Sequence, residues 1–168
     1  MADAPGYSGK PLAAKLGIKP GHRVGLVGAP GEVTAALRPA AAGLFEVASV
    51  DLLPPTLDMI HFFATEHATL ATALPKLRAR IFPAGALWIN WPKKSARVPT
   101  DVTGDIVRAL ALGGGLVDVK VCAVTEVWSG LKLVVPVAAR PPRPARKRTY
   151  DGRRERWFVR VSRNQASS

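Results

Sequence analysis

Short apolar runs alternate with helical patterns along residues 8–139, and this alternation limits the possible folds more than any other feature. The runs have the length of strands and are bounded by glycine, proline or aspartate. Strands that alternate with helices form a parallel sheet, because each crossover lays a helix on one face of the sheet. The sequence therefore predicts an α/β domain with an open, mostly parallel sheet flanked by helices.

The predicted elements follow one another in the order that such a sheet needs. Strands are predicted at residues 23–27, 46–50, 58–64, 86–91, 117–124 and 131–135. Helices are predicted at residues 10–16, 32–42 and 66–82, and a fourth helix begins at Asp101 or Thr103. Pro83 and Gly85 are expected to end the third helix, since proline removes a backbone donor.

The last two strands are separated only by Trp128-Ser129-Gly130. A parallel crossover needs a dozen or more residues, so these strands must form an antiparallel hairpin. We expect this hairpin at one edge of the sheet, with residues 128–130 as its turn and the first strand inside the sheet. Ser129 has no neighbouring base, so a nucleophilic role is not predicted.

Positive charge is concentrated in a tail. The chain has 24 lysines and arginines and a net charge of +12, and residues 140–168 carry +8 of it. Three prolines lie among the first of these cations, a composition that stays extended and solvated. We therefore predict a domain at residues 1–139 and a disordered Pro/Arg-rich tail at residues 140–168.

Nucleic acid or another polyanion is the partner predicted for this tail. Arginine binds phosphate with two parallel hydrogen bonds, and aromatic rings stack on unpaired bases. A solubilising role and attraction to anionic membranes stay open as alternatives. The candidate contact residues are Arg143, Arg146, Lys147, Arg148, Arg153, Arg154, Arg156, Trp157 and Arg160.

Cysteine and histidine positions argue against two other classes of site. A single cysteine, Cys122, cannot form an internal disulfide, which fits a reducing compartment and predicts a cytoplasmic protein. Cys122 lies within a predicted strand and is expected to be a packing residue. His61 lies in an apolar strand without converging ligands, so no metal site is predicted. No signal peptide or membrane-spanning run is recognisable.

Three motif stretches resemble a known bacterial family. Residues 7–21, 87–94 and 115–124 with 128–132 are similar to a domain of unknown function whose number, in words, is three thousand and fifty-two. The most specific parts are Trp91-Pro-Lys-Lys94 and Val119-Lys-Val-Cys-Ala-Val124. The resemblance covers about residues 7–135 and implies a domain but no activity.

The predicted layout is also similar, more distantly, to the Rossmann-like class I S-adenosylmethionine-dependent methyltransferases. That resemblance implies a glycine-rich turn after the first strand, at Gly28 and Gly31, and a ribose-binding acid after the second, at Asp51. Pro30 interrupts the turn, the acidic residue usual within the first strand is missing, and one β–α unit is absent. S-adenosylmethionine is therefore a possible but disfavoured cofactor, and weak or absent binding is predicted.

Candidate ligand residues follow several strands of the predicted sheet. Carboxyl ends of parallel strands share one edge, and ligands bind there. Trp91 with its lysines suits a planar anionic ligand, or else closes the core beside solvated lysines. Asp51 binds a ribose or caps a loop. The expected rim residues are Gly28, Gly31, Asp51, Asn90, Trp91, Lys93 and Lys94.

Two functions are compatible with these features. The first is a non-catalytic Rossmann-like binding or regulatory module whose basic arm contacts nucleic acid or another polyanion. The alternative is a trimmed S-adenosylmethionine-dependent methyltransferase. No nucleophile–base or acid–base pair is recognisable, so no catalytic residue is assigned.

Truncation after Ala139 tests the tail. If about six of its cations neutralise phosphates, the logarithm of the binding constant should fall with that of salt concentration at a slope of about −5 on duplex DNA and about −4 on single strands. Truncation should remove most of this affinity and leave the unfolding temperature of the core unchanged. Equal affinities of the full-length and truncated chains for RNA and DNA at low salt would show that the tail only aids solubility.

Overall fold

The computed structural model describes residues 11–41 and 43–141, together with the backbone of residues 148–150 and 157–159. Its main sheet has six strands in the order β2-β1-β3-β4-β6-β5. The strands are β1 Arg23–Val27, β2 Gly43–Val47, β3 Leu57–Phe63, β4 Ile81–Pro92, β5 Val117–Ala123 and β6 Trp128–Val134. The helices are α1 Leu12–Leu16, α2 Gly31–Leu37, α3 His67–Arg80 and α4 Gly104–Gly113.

The pairing of the strands confirms the predicted fold class. Strands β1 to β4 are parallel, whereas β6 is antiparallel to both β4 and β5. The chain runs outward from β1 to β2 and then returns to the other side of β1 to form β3. Only a loop with a short 3-10 helix, Val50–Leu52, joins β2 to β3, so among the described residues no strand lies outside β2.

Alternating side chains bury both faces of the sheet. On one face, strand residues such as Ile60, Leu87 and Leu131 pack with α3 and α4. On the other face, Leu26 and Trp88 pack with α1 and α2. Each fully buried large apolar side chain stabilises the fold by roughly 1.5–3 kcal/mol relative to exposure, so the two clusters hold the strands in register. No helix within the described ranges is long and apolar enough to cross a membrane.

Several predicted boundaries were wrong. Strand β2 lies three residues earlier than residues 46–50, because Val50 begins the 3-10 helix that follows. Helix α2 ends at Leu37, shortly before Pro39. Of the two predicted starts of α4, Thr103 is the N-cap and accepts a hydrogen bond from the Ile106 N–H. Asp101 instead accepts one from the His67 N–H at the start of α3.

The end of α3 was also predicted incorrectly. Strand β4 follows α3 directly, and Pro83 and Gly85 lie within β4. The β3–β4 register shifts between Leu57 and Met59, which makes room for the extra residues. A Cβ at Gly85 would lie 2.6 Å from the Asp58 carbonyl oxygen, so only glycine allows this approach of the two backbones.

The C-terminal hairpin is confirmed, but its turn is not at residues 128–130. Trp128, Ser129 and Gly130 are strand residues that pair with the end of β4. The turn occupies residues 124–127, where the Thr125 hydroxyl accepts hydrogen bonds from the Val127 and Trp128 N–H groups at 3.1 and 3.0 Å.

The tail contains a second, two-stranded sheet. Strands β7 Arg148–Tyr150 and β8 Trp157–Val159 pair antiparallel. Aromatic and β-branched residues favour such pairing. Seven of the predicted contact cations lie outside the described residues: Arg143, Arg146, Lys147, Arg153, Arg154, Arg156 and Arg160. The boundary at residue 139 and the disorder of the arm stay predictions.

The Gly130→Ala variant tests the packing of β6. An added Cβ would collide with the Asn90 side-chain oxygen and lie 3.0 Å from atoms of Trp88 and Val124. We expect a loss of about 1–3 kcal/mol in the free energy of unfolding, measured by urea denaturation. Gly113→Ala is the matched control, because its Cβ meets no atom within 4 Å and alanine favours helix. Equal stability of both variants would contradict the described packing.

Candidate functional site

A cavity of about 530 Å³ opens at the carboxyl ends of β1, β2 and β3. It lies where the chain reverses its direction of travel across the sheet, between β1 and β3, which is where open α/β sheets bind ligands. Its volume is typical of small-molecule sites, which span roughly 300–1,000 Å³. Its walls come from the strand ends, the 3-10 helix and α3, and include Val27, Gly28, Ser49, Val50, Asp51, Phe62, Phe63, Thr69, Thr72 and Lys76.

The turn after β1 leaves this cavity open. Gly28 has φ of 68°, a left-handed conformation that favours glycine, and its N–H donates to the Val47 carbonyl oxygen at 3.2 Å. Pro30 is the N-cap residue of α2, and its carbonyl accepts hydrogen bonds from Val33 and Thr34. Neither Pro30 nor Gly31 lines the cavity. Proline is therefore accommodated at the helix start, where a missing N–H costs nothing, and does not fill the ligand space.

Asp51 lies at the cavity in an ion pair. Its Oδ1 is 3.2 Å from Nζ of Lys76 on α3. The Ser49 hydroxyl accepts a hydrogen bond from the Asp51 N–H, which holds the carboxylate at the start of the 3-10 helix. Both side chains are about half exposed, at 64% for Asp51 and 47% for Lys76. Exposed pairs of this kind contribute about 0–1 kcal/mol, so a ligand that replaces Lys76 as the partner of Asp51 sacrifices little.

Lys76 was missed in the sequence analysis, although the sequence contains a signal for it. The buried face of α3 is defined by Leu70, Leu74 and Leu77. Thr69, Thr72 and Lys76 fall on a different face of the same helix, three and four residues apart. In this helix the polar stripe forms one wall of the cavity.

The remaining rim residues lie away from the cavity. Asn90 is fully buried, with Nδ2 at 3.4 Å from His61 Nδ1 and 3.5 Å from the Phe62 carbonyl oxygen. Trp91 packs against Gly104, at the start of α4. Lys93 donates its N–H to the Val127 carbonyl oxygen, and Lys94 begins a 3-10 helix. The expected single rim is therefore two groups, because the end of β3 stands between them.

His61 and Cys122 do not line the cavity. The His61 ring stacks on Trp88, with ring centroids 5.6 Å apart and planes 8° apart. Burial lowers the pKa of His61 to about 3, so the ring is neutral. Burial raises the pKa of the half-buried Cys122 thiol, although the Lys15 and Lys120 charges oppose the shift. No group of three or more His, Cys, Asp or Glu residues that could hold a metal occurs in the part of the chain that the structure describes.

Solved structures, which include a methyltransferase and a methylase, have the same fold. A magnesium protoporphyrin IX methyltransferase from Synechocystis PCC 6803, solved with bound SAM, is 11% identical, with a TM-score of 0.54 over 73% of this chain and 74% of that one. A ribosomal protein L11 methylase from Lactobacillus delbrueckii subsp. bulgaricus is 11% identical, with a TM-score of 0.52 over 74% of each chain. The pyocyanin biosynthetic protein PhzM is 14% identical, with a TM-score of 0.57 over 73% of this chain and 52% of that one.

These likenesses establish the methyltransferase-like architecture of the chain. At such low identities they carry the fold alone, and the residues of the cavity must be judged on their own chemistry. No family model matches the sequence, and no curated protein matches it either. The resemblance to the domain of unknown function therefore stays a prediction.

The pH dependence of stability tests the burial of His61. The unfolded chain binds a proton near pH 6.5, whereas the folded chain excludes it until about pH 3. Stability is therefore present in full above pH 6.5 and is lost as the pH falls. We expect the free energy of unfolding to fall by about 2 kcal/mol between pH 7.5 and 5. In His61→Gln this part of the loss should vanish, whereas the exposed control His67→Gln should keep it; identical profiles of all three chains would contradict the described burial.

Proposed function

We propose that the chain is a trimmed methyltransferase that binds S-adenosylmethionine in the cavity between Gly28 and Asp51. One observation carries this proposal: the turn after β1 is open towards the cavity, although the sequence places Pro30 in it. The methyltransferase resemblance implies a glycine turn and an acid at this same place. The alternative that the sequence analysis disfavoured is thereby the better supported function.

The residues present fit such a cofactor. The Asp51 carboxylate would accept hydrogen bonds from the ribose hydroxyls after parting from Lys76. The left-handed Gly28 turn would admit the cofactor close to the backbone, and the apolar side chains of Val50 and Phe62 would contact its adenine ring. Lys76 would then be free to contact the cofactor's carboxylate. When bound, the cofactor supplies an electrophilic methyl group.

Binding and orientation are the contributions of this chain to methyl transfer. Asp51 and Lys76 are the ionisable side chains among the described residues that line the cavity, and neither is paired with a nucleophile. A chain with this lining accelerates a transfer by holding two reactants in line, which lowers the entropic part of the barrier. The acceptor must therefore bring its own nucleophilic atom.

A second candidate function is a non-catalytic module whose tail contacts nucleic acid or another polyanion. The first strand favours it, since Gly25, not an acid, lies near its middle. In this candidate the cavity is a remnant of an ancestral fold.

Calorimetry with S-adenosylmethionine and S-adenosylhomocysteine distinguishes the two candidates. We expect a dissociation constant in the micromolar range that Asp51→Asn weakens by about tenfold to a hundredfold, because hydrogen bonds to a charged group are lost. Lys94→Gln, outside the cavity, is the matched control and should bind like the natural chain. Absence of binding by either compound, or the same affinity in Asp51→Asn, would contradict the methyltransferase and leave the module.

A further inference from the structure

Two lysines face each other across the hairpin at the edge of the sheet. Lys120 on β5 and Lys132 on β6 are direct partners in the antiparallel register, so their side chains emerge on the same face. Like charges placed directly opposite on neighbouring strands are destabilising. An anion bound near both ammonium groups would offset this repulsion.

Both ammonium groups lie near the end of α1. Lys120 Nζ donates to the Lys15 carbonyl oxygen at 3.2 Å, and a Cβ at Gly17 would lie 3.9 Å from Lys132 Nζ. Lys15 adds a third charge, which acts together with Lys120 on the nearby Cys122 thiol. With five residues, α1 has few aligned peptide dipoles, so its carboxyl end offsets little of this charge.

The described acidic side chains do not neutralise the lysine pair. Four ion pairs occur among the described residues, and neither Lys120 nor Lys132 takes part in any of them. Asp118, although on β5 itself, binds Arg108 of α4 on the opposite face. The face around Lys120 and Lys132 is therefore positive and suited to an external anion.

The basic tail begins just after the strand that carries Lys132. Lys132 lies on β6, which ends at Val134, and Arg140 Nε donates to the Val135 carbonyl oxygen at 2.9 Å. The first tail cation is thereby held at the end of the same strand. A partner that binds the tail from this edge also meets Lys120 and Lys132.

We infer that Lys120 and Lys132 form a phosphate-contact surface on the core, the α1–hairpin patch, which binds the backbone of a nucleic acid together with the tail. Closely spaced phosphates match cations that stand on neighbouring strands. Nucleic acid is favoured over a lipid surface because the tail sequence alternates its cations with Tyr150, Trp157 and Phe158, which suit base stacking. The inference holds whichever use the cavity has.

Charge-removing variants of the full-length chain test this patch. The double variant Lys120→Gln/Lys132→Gln keeps most of the aliphatic part of each side chain and removes two positive charges. If each lysine contacts one phosphate, the slope of log binding constant against log salt becomes shallower by about 1.8 on duplex DNA and about 1.4 on single strands. The matched control, Lys93→Gln/Lys94→Gln, removes two lysines that follow β4 beside the hairpin turn, at the other end of β6 from Lys132, and should keep the natural slope. Lys120→Arg/Lys132→Arg should retain the natural affinity.

Measurements of thermal stability and of binding to lipid vesicles complete the test. Relief of the like-charge pair should leave the unfolding temperature of the Gln variant unchanged or slightly raised, so that weaker binding cannot come from unfolding. An unchanged salt slope in the Gln variant would overturn the inference. The inference would also be overturned if the Gln variant unfolded at a lower temperature and the Arg variant restored that temperature but not the salt slope. Binding of the full-length chain to phosphatidylserine vesicles, without binding to DNA or RNA, would overturn it as well. Loss of S-adenosylmethionine binding by Asp51→Asn has no bearing on these outcomes.

Discussion

The parallel pairing of β1 with two neighbours is the constraint on which the rest of the structure depends. Strand β1 bonds to β2 on one side and to β3 on the other, and its Val24 and Leu26 are completely buried. Because the chain must leave β1 in one direction and return in the other, the strand ends diverge on either side of Gly28. The cavity follows from this topology and not from any single side chain.

Much of the fold was predictable from local signals, whereas the site was predictable only in part. Alternating apolar patterns located the strands, since a pattern of period two or an apolar run needs no tertiary information. The start of β4 was missed because Pro83 and Gly85 usually interrupt structure, and only the register shift against β3 accommodates them. The turn of the hairpin was missed because the Thr125 hydroxyl, not a glycine, closes it.

Ion pairs and hydrogen bonds between side chains of different helices and strands could not be predicted from the sequence. Gly28 and Asp51 were recognised from their spacing and lie at the same cavity. Lys76 follows Asp51 by a loop, a strand and most of a helix, so its ion pair depends on how α3 packs. Asn90 was predicted at the rim because it ends a strand, but its amide points into the core beside His61.

The cavity and the α1–hairpin patch occupy different parts of this molecule, so the two proposed functions can be tested separately. The cavity is lined by Asp51 after β2 and Lys76 on α3, whereas the α1–hairpin patch lies at the β5–β6 edge. The central claim is that the cavity takes an adenosyl cofactor, and amide chemical shifts in a titration with S-adenosylhomocysteine test it most directly. The account predicts shifts that cluster at Gly28, Ser49, Asp51 and Thr69; an unchanged spectrum, or shifts confined to the α3–α4 groove around Arg78 and Leu110, would contradict it.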